Sequence, residues 1–222
     1  MATDFSAGRN VMLLDDEVIA LSVRAGTPWP TATPTVSRDS EQAMAAATER
    51  GALSLVTRGY LTNGEPDGLD LSLASLIDLL LGGNQLFETF VGTESLVVDL
   101  RFAFSGYFES PEGWIREITT PNGVHYIGRS DPNDSLRSAA DLIDQAVLGR
   151  FHASLGIDED EAKSLWLGVV GEATGDAVKV ALARPDELRV GVVAAATGEF
   201  ESRQSVDHGD QAIGYVRGRS NP

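Results

Sequence analysis

The spacing of apolar residues changes partway along the chain, and no other feature of the sequence restricts the fold as much. Up to Leu81 the spacing is helical: Leu73, Leu76, Ile77 and Leu80 fall on one helix face, and Gly82 and Gly83 end the run. After Glu94 the period becomes two. In SLVVDLRFAF the residues Leu96, Val98, Leu100, Phe102 and Phe104 share one face, as in a half-buried strand. WIREIT and VHYIGR predict two more strands, joined by the tight turn TPNG. Helices followed by strands on short connections predict an α+β fold with an antiparallel meander.

The flanking segments extend this pattern. Asp15 or Asp16 is placed to cap a short helix running to about Arg24. Pro28, Pro30 and Pro34 then exclude helix from GTPWPTATPTV and predict an extended connector or an edge strand. An alanine-rich helix follows from Asp39, expected to pause at Gly51 and stop near Gly59. TNGEPDG reads as a loop, with Ser72 capping the next helix. Beyond the meander, Asn133 or Asp134 caps a helix whose stripe is Leu136, Ala139, Ala140, Ile143 and Val147. Asp158 and Glu161 have capping-box spacing and predict a helix carrying Leu165, Val169, Ala173 and Val180, dented by Gly168, Gly171 and Gly175. ELRVGVVAAATGEFES and QAIGYVRG then read as strands.

The chain also echoes itself. GYFES at Gly106–Ser110 and GRSDP at Gly128–Pro132 return as GEFES at Gly198–Ser202 and GRSNP at Gly218–Pro222. Sliding Leu96–Ser110 onto Leu188–Ser202 also matches Leu96 with Leu188, Val98 with Val190 and Ala103 with Ala195. Two copies are too few for a solenoid. The expected architecture is therefore an N-terminal half over 1–150 and a shorter C-terminal half over 151–222, related by a pseudo-twofold axis within one compact domain. Each half is a helix followed by a meander, with helices packed on one face. A last strand at QAIGYVRGRSNP would leave an uncovered edge, which predicts a homodimer or a partner chain there.

Composition removes whole classes of function. A net charge of -16 opposes nucleic acid and anionic membranes. The absence of cysteine excludes disulfides and thiolate metal sites and fits a reducing cytosol. The acids of MATDFSAGRNVMLLDDEVIAL do not suit a signal peptide, and Asp70 and Asp78 interrupt the most apolar run, so no membrane insertion is expected and the protein reads as cytoplasmic. Neither a nucleophile elbow nor a phosphate loop occurs. His125, inside a predicted strand, reads as a packing or edge residue, and Asp207, His208 and Asp210 as a polar turn. No catalytic residue, metal or cofactor is expected.

The order of a short N-terminal helix, the proline-rich WPTATPTV, an alanine-rich stretch ending in RGYL, a leucine-rich helix, a meander, a closing helix and a variant second copy resembles the EspG-type chaperones of type VII (ESX) secretion in actinobacteria. The resemblance is strongest over about Leu13–Val147. It implies two quasi-symmetric α+β halves and a non-enzymatic cytosolic export chaperone. The implied partner is a helical client with an apolar tip, of the PE–PPE kind. Residues selected to meet such a client are Phe104, Tyr107, Phe108, Trp114 and Ile115. Phe108 and Ile115 read individually as core, whereas Tyr107 and Trp114 combine an apolar body with a polar handle. The alternatives are a winged-helix DNA-binding regulator, with ERGALSLVTRGYL as its helix-turn, and a phage or plasmid interaction protein of the same fold.

Overall fold

The computed structural model describes residues 10–62, 68–194 and 196–218. In these residues the chain forms β1 (Val11–Leu14), α1 (Asp15–Ala25), α2 (Glu41–Thr57), α3 (Leu71–Leu81) and β2 (Asn84–Gly92). The strands β3 (Phe104–Ser110), β4 (Gly113–Thr119) and β5 (Val124–Ser130) follow, then the helices α4 (Pro132–Val147), α5 (Arg150–Ser154) and α6 (Glu159–Ser164). The strands β6 (Trp166–Thr174), β7 (Ala177–Arg184), β8 (Glu187–Ala194) and β9 (Phe200–Gln204) precede α7 (Gly209–Val216). The fold is α+β with antiparallel strands. Its contacts separate into two units, Met1–Asn84 with Phe108–Arg129, and Gln85–Tyr107 with Ser130–Pro222. The chain passes from one unit to the other within β2, β3 and β5.

In the first unit the strand order is β1-β5-β4, with the end of β3 beside β4. β1 and β5 pair in the register Val11↔Ile127, Met12↔Tyr126, Leu13↔His125 and Leu14↔Val124. Alternation along a strand sends Leu13, Ile115 and Ile127 into a core with Val18 and Leu21 of α1, Leu55 of α2, and Leu73, Leu76, Ile77 and Leu80 of α3. Met12, Leu14 and Tyr126 have the opposite parity and are exposed. The α1–α2 crossing depends on Gly51: a Cβ there would lie 1.9 Å from the carbonyl oxygen of Asp16. Arg50 holds the same crossing through a two-pronged ion pair to Asp16, at 2.7 and 2.8 Å.

In the second unit the order is β2-β6-β7-β8-β9. The helices α4 and α7 pack on each other and over β6, β7 and β8. Ala139, Ala140, Ile143 and Ala146 of α4 and Ala212, Ile213 and Val216 of α7 supply the buried stripes. Trp166 is buried beneath the guanidinium groups of Arg184 and Arg189, 4.2 and 4.9 Å from its ring centre, and Glu187 pairs with both arginines.

Several expectations are corrected. The α2 helix runs through Gly51 without a pause, because the glycine serves a close helix crossing rather than a turn. Asp70 rather than Ser72 caps α3, accepting from the backbone of Ser72 and Leu73. The first strand of the meander is Asn84–Gly92, and Leu96–Phe102 is a loop joined to it by a bridge between Val98 and Gly92. The helix after Asp158 ends at Ser164, and Val169 and Val180 belong to strands. Gly171 is flat there because the backbone of Val216 would lie 2.6 Å from a Cβ. QAIGYV is the helix α7, so the edge strand expected there is absent and the argument for a homodimer falls with it.

The echoed words occupy different places: Gly106 lies inside β3, Gly198 in a left-handed turn before β9. What repeats along the chain is the order helix, four strands, helix, first as α3 to α4 and again as α6 to α7. Most of TNGEPDG and the last residues of GRSNP lie outside the described residues.

Gly51→Ala is expected to destabilise the protein by about 1–3 kcal/mol, the usual cost of overpacking. A lowered urea midpoint at unchanged slope checks this.

Candidate functional site

The first unit buries a cluster of ionisable side chains. Asp15 is the first residue of α1, Glu117 lies on β4 with its side chain on the core side, and His125 is on β5 beside Leu13. All three are buried. The imidazole of His125 meets Glu117 Oε1 through Nδ1 at 2.6 Å and Asp15 Oδ1 through Nε2 at 2.7 Å. A carboxylate only accepts, so a ring donating to both is an imidazolium, the form with two N–H groups.

Each carboxylate also fastens the proline-rich segment. The indole N–H of Trp29 donates to Glu117 Oε1 at 2.8 Å, and Asp15 Oδ2 accepts from the backbone N–H and the hydroxyl of Thr35, both at 2.6 Å. The ring of Trp29 stands edge-on to His125, with centres 6.3 Å apart. Gly123 lets the β4–β5 turn close over this cluster. Its φ of +73° suits glycine, and a Cβ would lie 2.5 Å from Asp15 Oδ2.

The protonation of this cluster follows from its geometry. Burial draws the His125 proton affinity down, but the hydrogen bonds and charges of Asp15 and Glu117 outweigh it, and the imidazole is held above its ordinary value. Burial pushes Asp15 upward, yet the bonds from His125 and Thr35 prevail and hold its carboxyl below the usual range.

The arrangement does not suit catalysis or metal binding. Both ring nitrogens are occupied by carboxylates on opposite sides, which leaves no common point for a cation and no nitrogen to move a substrate proton. Among the described residues no group of histidine, aspartate and glutamate is placed to hold a metal ion. A cavity of about 490 Å³ in the same unit is lined by Asn10, Val11, Arg58, Tyr60, Asp70, Ser72 and Arg129, and none of the three cluster residues reaches it. Its arginines are engaged, Arg58 with Glu17 and Arg129 with Glu112.

The outward parity of the same strands presents an apolar face. Met12 and Tyr126, opposite each other across β1 and β5, are 44% and 37% exposed, and Leu14 is 40% exposed. Half-buried Val124 and Ile118 continue the face on β5 and β4.

The residues selected from sequence are placed differently. Phe104, Tyr107, Phe108, Trp114 and Ile115 are all buried. Phe108 and Ile115 belong to the first unit's core, and Tyr107 stacks on Phe87 with centres 4.3 Å apart. The indole N–H of Trp114 donates to Glu109 Oε1 at 3.2 Å. As partner contacts they would require β3 and β4 to open. His208 immediately precedes α7, as its N-cap residue.

Comparison of the sequence with protein-family models gives no match, and comparison with curated proteins gives none. Among solved structures, the chain is similar to the Mycobacterium tuberculosis type VII secretion system chaperone EspG5, determined in complex with a PE25–PPE41 dimer. The alignment covers 93% of this chain and 95% of that one, with a TM-score of 0.46 and 8% identity. No helix among the described residues is long and apolar enough to cross a membrane.

His125→Gln is expected to cost about 3–5 kcal/mol, because it leaves two buried carboxylates without their cation. The contribution of His125 is complete below the ordinary imidazole value of 6.5 and is lost as the pH rises through the higher folded-state value. That of Asp15 is complete above 3.8 and is lost as the pH falls through its lower folded-state value. A scan of Tm against pH should therefore fall on both sides, and the variant should lose the alkaline limb.

Proposed function

We propose that this chain is a non-enzymatic binding protein that shields an apolar surface of a protein client, as a chaperone or adaptor. The observation that carries this reading is the open face of Met12, Leu14 and Tyr126 on a chain of net charge -16. Contiguous apolar side chains on a sheet face are what a partner's apolar surface can cover, while the surrounding charge keeps the free protein dispersed. The sequence order that resembles EspG-type chaperones supports a helical client with an apolar tip, of the PE–PPE kind, held in the cytosol before export. In this reading Phe108 and Ile115 act from beneath, giving the sheet a firm core. No observation favours the DNA-binding alternative.

The test is affinity capture from the native host with identification of the bound chains. The unaltered protein is expected to retain a helical pair, and the double variant Met12→Asp, Tyr126→Asp to lose it by at least about tenfold, or about 1.4 kcal/mol, while keeping its Tm. Undiminished capture by the double variant, or recovery of nucleic acid in place of a client, would overturn the reading.

A further inference from the structure

The segment 27–38 crosses the first unit as a strap without regular secondary structure, yet Trp29, Thr31, Thr33 and Val36 are buried. Its internal order comes from Arg38 and from the Thr33–Val36 turn. Arg38 donates to the carbonyl oxygens of Trp29 and Thr31 and to the hydroxyl of Thr33, and Val36 N–H donates to Thr33 O at 3.2 Å. The strap is thus a closed loop, and its Val36 packs with Ile19 and Ala47. Its side chains are fastened elsewhere by Trp29 to Glu117 and by Thr35 to Asp15. Both anchors are carboxylates held by the same ring.

We propose that Asp15, His125 and Glu117 form a proton-operated clasp that holds this strap on the sheet and releases it when His125 loses its proton. The charged groups around the cluster are otherwise committed. On α1, Asp16 pairs with Arg50, and Glu17 pairs with Arg58, both partners being on or just after α2. On β4, Arg116 has the opposite parity to Glu117; on β5, Arg129 holds Glu112. On the strap, Arg38 bonds within the loop. Among the described residues, His125 is therefore the cation hydrogen-bonded to Asp15 and Glu117. A neutral ring keeps one N–H, so one carboxylate loses the ring as a donor and two like charges flank an uncharged ring away from water. Glu117 Oε2 is already buried without a hydrogen-bond partner among the described residues, which leaves that side chain no reserve. Lifting the strap admits water to both carboxylates and withdraws Trp29 from the core cluster.

The test is a nuclear magnetic resonance titration of the isotopically labelled full chain from mildly acidic to alkaline pH. The Trp29 indole N–H and the Thr35 amide should lose their hydrogen-bonded shifts and exchange protection at the midpoint of the His125 ring, while the methyl groups of Leu73 and Leu80 stay in place. Glu117→Gln should lower the ring's proton affinity about tenfold or more and move strap release with it. Strap signals that stay unchanged through the ring titration would overturn the proposal. So would loss of the Leu73 and Leu80 signals at that same midpoint, which would make the cluster a determinant of global stability only. A midpoint unmoved in Glu117→Gln would do the same, and the wild-type titration decides the matter if that variant does not fold.

Discussion

One imidazolium between two carboxylates joins elements that are far apart in the chain: the start of α1, the strap, β4 and β5. Burying such a group is costly, and an apolar replacement of the same shape is often no less stable. What the ionic version adds is direction. Each acceptor oxygen has a stated donor, so Trp29 and Thr35 have one place to go, whereas an apolar strap could slide. The acids at the head of α1 extend this logic. Asp15 turns to the strap and β5, Asp16 to Arg50 on α2, and Glu17 to Ser54 and Arg58 and back to the N–H of Leu14. Acids at a helix start are favoured by its dipole, and here each also ties that start to a different neighbour.

The parts of the fold legible in the sequence are those where local pattern and tertiary environment agree. WIREIT and VHYIGR are strands with the turn TPNG between them, and α3 and α4 show one apolar stripe each. Illegible segments are ones where the pattern is shared by two structures. Leu165, Val169, Ala173 and Val180 suit a helix face, yet Trp166–Thr174 and Ala177–Arg184 are adjacent strands with consecutive buried residues, 165–169 and 180–183, and a strand buried on both faces loses clean alternation. NQLFETFVG begins with polar residues directly after a glycine pair, where a turn is the local preference, and tertiary pairing, as with β6 over Phe87–Gly92, makes it a strand.

The ionic cluster was half visible. In WIREIT, Glu117 and Thr119 share the parity of Ile115, and in VHYIGR His125 shares that of Ile127, so polar groups had to face inward. The alternation signals that a partner is needed without saying which residue supplies it, and Asp15 lies 110 positions from His125. Aromatic residues mislead in the opposite direction. Tyr107 and Trp114 look suited to a surface, and their burial depends on neighbours from other elements; on the strands of the first unit the exposed apolar side chains are instead Met12 and Leu14 of β1 and Tyr126 of β5.

The outer edge of β1 is filled by side chains: Glu17 accepts from the N–H of Leu14, and Arg58 donates to the carbonyl of Met12. A free strand edge is indiscriminate, since any extended backbone can pair with it. With those two groups occupied, a foreign chain has no ladder to join at Met12 and Leu14 and can approach these residues only broadside, through their side chains. Recognition there is governed by the shape and chemistry of a partner's surface, and the generic route from a sheet edge to cross-β aggregation is closed beside the exposed Met12 and Leu14.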